Sequence, residues 1–389
     1  MKYDVIVIGS GSFGCGTAWH LRERGLEVLV LDAAEGPATQ ASRAAAGFVS
    51  SWSVVHEPAW GRIEWEMQRY GIDFYTRLAQ SCGREIGYYP CGIAYIYLTE
   101  AAWIDAEGRI DQARQLGTRL EVLTADRAAN VLPQICFETT AGILYDPDTI
   151  RVRAAQAIPA LAQQLQQQGV QFRFNTRVTD FVHEGGQVRG VMTTAGDFAS
   201  DHVVIAAGAW SRPLAGKLGV ANPATPHTET RYTTVPLPGL GPEMPLLIFS
   251  DCHWFYMREE NGGLLIGGFE EDPLPADRLV DPENPPRADA IVTGQPHRVR
   301  EFVREIEHVM PLLKDAEVED TMGGLPTFTD DLHFIAGRVP SYDGLYLMSA
   351  CQEGGITHGP GLGKMIADLV VDGHSAWDQA AFHVDRFTQ

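Results

Sequence analysis

The sequence has no excess of basic residues, no long apolar run and few cysteines. Lysine and arginine total 30 against 50 acidic residues, for a formal charge of −20 and a pI near 4.9. Such a chain is a poor polyanion binder, which removes nucleic acid and anionic membrane surfaces from the expected partners. No apolar stretch approaches the ~18–20 residues of a bilayer-spanning helix, so no transmembrane segment is expected. The six cysteines stand at 15, 82, 91, 136, 252 and 351 with no CxxC pair among them. That spacing argues against a zinc site or a disulfide framework and fits a reducing compartment. Met1-Lys2-Tyr3-Asp4 leads directly into an apolar run, with none of the pattern of a secretory leader. A cytoplasmic location is expected. Repeats of fixed period are absent, and at 45% apolar the chain is rich enough for a packed core.

What is present begins at once. Tyr3 to Ile8 is a β-branched run suited to a buried parallel strand. It enters Gly9-Ser10-Gly11-Ser12-Phe13-Gly14, and a helical stretch follows to Gly25. Leu26 to Leu31 then reads as a second strand ending at Asp32. Strand, glycine turn, helix, strand and acid come in the order of a dinucleotide-binding unit. Gly9 suits the tight turn, Gly11 a close approach to pyrophosphate, and Gly14 close helix–strand packing. Asp32 lies 18 residues past Gly14, near the ~20 expected of a ribose-binding acid.

The later chain is mixed. Trp65, Tyr70, Phe74 and Leu78 suggest a helix, and Ile93 to Leu98 an aromatic strand. Arg153 to Gln168 reads as a helix, followed by strands at Val170–Phe174, Val188–Thr193 and His202–Ala206. Trp254–Arg258 and Leu264–Gly267 suggest a hairpin turning through Asn261-Gly262-Gly263. After 333 come a strand (Leu345–Ser349), a glycine loop and a helix from Gly363 to Val371.

Three segments favour FAD over NAD. Ser42-Arg43-Ala44-Ala45-Ala46-Gly47 could lie flat against a bulky ring, with Ser42 and Arg43 in reach of phosphate. Val203 to Trp210 carries a strand into Ala206-Ala207-Gly208-Ala209-Trp210, suited to a chain passing closely under a cofactor. Glu353 to Gly363 is glycine-dense and opens a helix, whose N-terminus would stabilise negative charge on a reduced flavin.

With the stretches Ala141–Asp148 and Phe172–Val178, these motifs make nearly the whole chain resemble the FAD-dependent D-amino-acid oxidase superfamily. Its members include glycine and sarcosine oxidases, D-arginine dehydrogenase and the opine and hydroxyproline oxidases. The resemblance implies an α/β fold in which a Rossmann-type FAD-binding domain (1–80, 141–215 and 333–389) is interleaved with an antiparallel-sheet α+β substrate domain (81–140 and 216–332). It implies FAD held by Gly9, Gly11, Ser12, Phe13, Gly14, Asp32, Ala33, Ser42, Arg43, Ala45, Ala46, Gly47, Ala206, Ala207, Gly208 and Trp210. Val178 would meet the adenine, and Gly354, Gly355, Ile356 and Thr357 would line the isoalloxazine.

Relatives tether the ring through a cysteine or a histidine where this chain has Gly324 and Ala44, so noncovalent FAD is expected. Thr357 stands where sarcosine oxidases carry a lysine, and Pro326 where glycine oxidase carries an arginine. Tyr256, Arg231 and Trp52 are the candidates for the substrate side, with Thr357 and His358 beside the flavin. Arg258 shares a strand face with Tyr256 and could instead face water. Expected is oxidation of the C–N bond of a small amino acid or N-substituted amino acid, by hydride transfer to flavin N5 and hydrolysis of the imine. The alternative is a flavin subunit of a hetero-oligomeric opine- or hydroxyproline-type dehydrogenase, passing electrons to a partner.

Overall fold

The computed structural model describes residues 2–51, 55–81, 86–251, 255–268, 276, 279–281 and 303–387. Val5–Ile8 and Val28–Leu31 are fully buried and lie side by side in parallel, Val5 opposite Val28. They form the centre of a six-stranded sheet ordered Ile335–Arg338, Leu345–Ser349, Val203–Ile205, Val5–Ile8, Val28–Leu31, Gln171–Arg173. All neighbours are parallel except the edge strand Ile335–Arg338. Runs of Val, Ile and Leu without polar alternation suit strands covered on both faces.

The larger sheet has eight strands, ordered Val318–Gly324, Glu229–Thr234, Gly263–Gly267, Phe255–Glu260, Leu246–Phe249, Ile93–Tyr97, Gly142–Asp146, Glu121–Val122. It is antiparallel apart from Leu246–Phe249 beside Ile93–Tyr97. Asn261 and Gly262 take left-handed φ at its hairpin tip, as a two-residue turn between twisted strands requires. The two sheets draw their strands alternately from along the chain, so the architecture is a parallel nucleotide-type sheet interleaved with an antiparallel one. Gly142–Asp146, expected with the nucleotide-binding part, hydrogen-bonds into the larger sheet. A three-stranded antiparallel sheet of Val178–Glu184, Gln187–Thr193 and Gly196–Ala199 is richer in strand than the sequence suggested.

The glycine stretch after Glu353 corrects one expectation. Helix starts at Gly355, not Gly363, and runs to Val371 with Pro360 inside it. Its glycines serve helix contacts. A Cβ on Gly363 would stand 2.5 Å from the backbone of Gly16, and one on Gly361 3.0 Å from the Met67 side chain. In the opposite sense, a Cβ on Gly71 would meet the Thr357 carbonyl at 2.0 Å. Missing side chains let this helix press against Ser12–Glu23 and Arg62–Ser81, which aims its first turn at the end of the parallel sheet.

Candidate active site

A cavity of about 400 Å³ opens where the parallel strands end and runs to the larger sheet. Ligands of open α/β sheets bind at this carboxyl edge. Gly9 leaves its strand at φ +107°, and a Cβ there would strike the Ala206 carbonyl at 2.4 Å. A Cβ on Gly14 would lie 1.9 Å from the Gly9 carbonyl, so turn and helix can meet only through glycines. The Ser12 amide donates to Ser42 Oγ at 3.1 Å, tying the start of the helix to the second motif. Asp32 accepts from the Ser10 amide at 2.7 Å and, through its other oxygen, from the Ala34 amide at 2.9 Å. Burial raises the Asp32 carboxyl above its ordinary range, and the Ser10 and Ala34 donors oppose that rise.

Most of the expected cofactor residues line this cavity together: Gly9, Gly11, Ser12, Phe13, Asp32, Ala33, Ser42, Ala45, Ala46, Gly47, Val178, Ala206, Ala207, Gly208, Trp210, Gly355 and Ile356. Gly14 acts behind the wall, as described. Arg43 is absent from the lining, and its Nε is buried without a hydrogen-bond partner. Gly354 and Thr357 also stand off it. A Cβ on Gly354 would meet the His358 ring at 2.7 Å, and Thr357 Oγ1 donates to the Phe48 carbonyl at 2.9 Å. Thr357 therefore joins two walls of the site instead of facing into it.

His358 is likewise turned away from the cavity. It is fully buried, lies against Trp60 and Phe334, and shares a hydrogen bond between Nδ1 and the Gly354 carbonyl at 3.0 Å. Burial pulls its pKa down to about 4, so it is neutral at pH 7. The imidazole pins the first turn of the helix.

On the far wall, Arg231 and Tyr256 both face the cavity. Register explains why. Each pairs with Gly267, from the two strands on either side of it, so the three form one cross-strand row on one face. Gly267 leaves the space between them, since a Cβ there would overlap the Tyr256 ring at 2.2 Å. Arg231 reaches Met322 Sδ at 3.4 Å, and its Nε has no hydrogen-bond partner. Burial lowers the Arg231 pKa and raises that of Tyr256.

Arg258 has another task. It is 3% exposed, donates through Nε to the Ala46 carbonyl at 2.5 Å and pairs with Glu260. With Arg151–Glu259 (2.7 Å) and Arg153–Glu260 (3.4 Å) it forms a buried ionic floor under the Ala44–Gly47 loop. It faces neither water nor the cavity. Trp52 lies outside the described residues.

Gly324, Ala44 and Pro326 also line the cavity, and a Cβ on Gly324 would approach that of Ala44 to 3.1 Å. The two positions where relatives tether their ring are thus neighbours here, and neither carries a nucleophile. Sequence reasoning missed Gln40, Arg177, Lys217, Glu229, Cys351 and Glu353 as lining residues. No motif marks Glu229. Glu353 was visible only as the first residue of the glycine-dense stretch.

A model of the FAD dependent oxidoreductase family matches residues 4–369. The 4-methylaminobutanoate oxidase (formaldehyde-forming) of Paenarthrobacter nicotinovorans is 30% identical over 98% of this chain and 45% of its own length. The mitochondrial pyruvate dehydrogenase phosphatase regulatory subunit of Mus musculus is 26% identical over 99% of this chain and 43% of its own. The chain thus spans somewhat under half the length of these curated relatives. Glycine oxidase of Geobacillus kaustophilus is 25% identical over 99% of this chain and 97% of its own. Among solved structures, L-proline dehydrogenase from P. horikoshii superposes with a TM-score of 0.88, at 19% identity over 100% of this chain and 98% of that one.

Proposed function

The chain belongs to the family of FAD-dependent oxidoreductases, and from that premise we propose that it oxidises the C–N bond of a small amino acid or N-substituted amino acid. One observation carries the reading: a single cavity joins the glycine turn and Asp32 to Arg231 and Tyr256. The residues present suit FAD. Gly208, at φ +55°, offers open space where a Cβ would stand, and Gln40 Oε1 is a buried acceptor with no partner in the cavity wall. Gly9, Gly11, Ser12, Asp32 and Ser42 would hold the nucleotide half, with Ala44–Gly47, Gly324, Gly355 and Ile356 around the ring.

Bound FAD supplies a two-electron acceptor for a hydride equivalent from the carbon bearing nitrogen. The protein's share is placement. Arg231 would take the substrate carboxylate, which loses hydration on entry and needs a cationic partner. Tyr256 would donate a second hydrogen bond, and the apolar wall of Phe48, Leu325 and Ile356 would exclude water. The nitrogen-bearing carbon yields an imine, which water hydrolyses.

Relatives named as oxidases and as a dehydrogenase both occur. The uncharged Thr357, turned to the Phe48 carbonyl, favours transfer to an acceptor other than oxygen, such as a partner protein. The test is an anaerobic screen of amines and amino acids against the purified yellow protein. Bleaching by an amino acid or its N-methyl derivative is expected; a flavin that no such compound bleaches would refute the proposal. Air should reoxidise the bleached form more slowly than an artificial acceptor does.

A further inference from the structure

The loop that leads into the last α-helix holds an uncommon backbone. It joins Leu345–Ser349 to Gly355–Val371, and three of its residues other than glycine carry left-handed φ: Ala350 at +55°, Gln352 at +46° and Glu353 at +57°. Residues with a side chain rarely adopt that conformation, and it persists only where the surroundings fix it. Cys351, Glu353, Gly355 and Ile356 of this stretch line the cavity. Gln352 is buried but stands outside the lining.

Gln352 is held through backbone and side chain alike. Its amide donates to the Thr327 carbonyl at 3.1 Å, and its carbonyl accepts from the Gly354 amide at 2.6 Å. Nε2 donates to Thr329 Oγ1 at 2.7 Å and to the His333 carbonyl at 3.2 Å. A carbonyl only accepts, so Nε2 and not Oε1 must face it. Oε1 is left buried without a partner, a cost that an apolar side chain would not carry. What glutamine adds over an apolar residue is those two N–H bonds.

The Thr329–His333 turn that receives them is clamped from the C-terminal segment. Arg386, on the short turn Val384–Phe387, reaches Asp331 through Nε at 2.7 Å and Nη2 at 3.0 Å. Nη2 also meets the His333 carbonyl at 3.1 Å. Asp331 accepts from the His333 amide at 3.2 Å and lies 2.8 Å from Thr329 Oγ1. A two-pronged ion pair, a turn and one side-chain amide thus connect Arg386 to the loop at the cavity.

We propose that Gln352 is a positioning residue for the cofactor wall, and that Arg386, through Asp331, sets the turn from which Gln352 is held. The inference rests on the cavity taking FAD and needs nothing of the C–N chemistry. With the connection intact, the loop keeps its left-handed residues, and Cys351, Glu353 and the first helical residues stand in binding shape before FAD arrives. With it broken, the backbone relaxes toward commoner conformations, and only a fraction of molecules presents that wall. The apparent FAD constant then rises by the inverse of the fraction. A residue of the C-terminal turn thereby governs cofactor retention.

Dilution of the FAD-loaded protein, followed by the rise of free-flavin fluorescence, gives the constant, and hydrogen exchange of backbone amides locates the change. Gln352→Leu removes both N–H donors at similar size, and Arg386→Met removes the clamp. Each should weaken FAD about tenfold or more, as loss of two hydrogen bonds does. The double variant should lie within about twofold of the worse single one, because both break the same connection. Thr329→Val, which deletes only the hydroxyl, should cost about threefold, and Arg386→Lys should restore part of the Arg386→Met loss. Amides of residues 351–356 should exchange faster in every variant, and those of Val5–Ile8 should not change.

FAD retention within twofold of wild type in Gln352→Leu would overturn the proposal. So would losses that multiply in the double variant, since Arg386 would then act by another route. Faster exchange confined to residues 383–387, or spread equally to Val5–Ile8, would reduce Arg386 to a structural residue and overturn it too. If Gln352→Leu or Arg386→Met fails to fold, Thr329→Val and Arg386→Lys decide by the same two readouts. Failure of every amine to bleach the flavin defeats the proposed function alone, and wild-type FAD retention in these variants defeats this inference alone.

Discussion

At the nucleotide end of the cavity the wall is backbone and small side chains: Gly9, Gly11, Ala45, Ala46, Gly47, Ala206 and Gly208. At the other end it is large or charged: Glu229, Arg231, Tyr256 and Glu353. The first end recognises by close approach, so its requirements are steric and local in sequence. The second, on the proposed function, would recognise by charge, and its groups come from two strands and a loop far along the chain. A backbone cradle suits a cofactor shared across a family. A wall of side chains can be changed one residue at a time, and the proposed function puts substrate choice there.

The same contrast decides what could be read in advance. The spacing of Gly9, Gly11, Gly14 and Asp32 is short-range, and the structure places all four at the turn as that spacing demands. Glu229 and Glu353 carry no such signature, because only the fold brings each of them to the cavity. In sequence Arg231 reads as the substrate-side arginine, and Arg258 as one that shares the face of Tyr256 or meets water. Pairing with Gly267 turns Arg231 inward, while Ala46 and Glu260 claim Arg258. The glycines at 359 and 361 read as loop and Gly363 as the first helical residue, whereas all three lie inside the helix. Their need for small size is set by Ser12, Met67 and Gly16 on two other helices, which composition cannot reveal.

The largest effect is expected where steric fit is absolute. Gly14→Val would drive a side chain into the Gly9 carbonyl, backbone that cannot move without displacing the turn. The cost exceeds the ~1–3 kcal/mol of ordinary overpacking. Protein from gel filtration should be colourless, by the ratio of flavin to protein absorbance. Retention of full flavin would mean that the cradle tolerates more than a backbone wall can.

Arg258→Met probes the ionic floor beneath the loop that joins the two ends. Removal of one partner from a buried ionic network costs ~3–5 kcal/mol. Arg153 remains near Glu260, so the lower part of that range is expected. The urea midpoint should fall accordingly. A midpoint unchanged within error would show that the floor is dispensable.

Within the charged end, Arg231→Met should raise the apparent constant for an amino-acid substrate by ~1.5–3 kcal/mol, at least tenfold, with flavin content intact. Tyr256→Phe should cost ~0.5–1.5 kcal/mol, as for a neutral hydrogen bond. If Arg231→Met binds substrate normally and only loses thermal stability, the residue is structural. The substrate would then carry no carboxylate, because Arg258 is already occupied.

The smallest effect lies behind the cavity, where His333 Nδ1 meets Glu64 at 3.0 Å beside the helix that carries His358. Glu64 raises the His333 pKa, and His333 with the Gly61 amide lowers that of Glu64 although burial opposes it. A raised histidine pKa adds stability that is complete below the unfolded value of ~6.5 and is lost as pH rises through the folded value. A lowered glutamate pKa adds stability that is present above ~4.3 and is lost as pH falls through the folded value. The two overlap between about pH 4.5 and 6.5. Glu64→Gln keeps an acceptor for the Gly61 amide but removes the charge. The melting-temperature difference from wild type should therefore be widest near pH 5–6 and shrink toward pH 9. Glu64 is buried but His333 keeps part of its ring in water, which screens the pair to ~1 kcal/mol, so a shift of a few degrees is expected. A difference independent of pH would mean that Glu64 contributes by packing, and that titratable groups govern this protein only within the cavity.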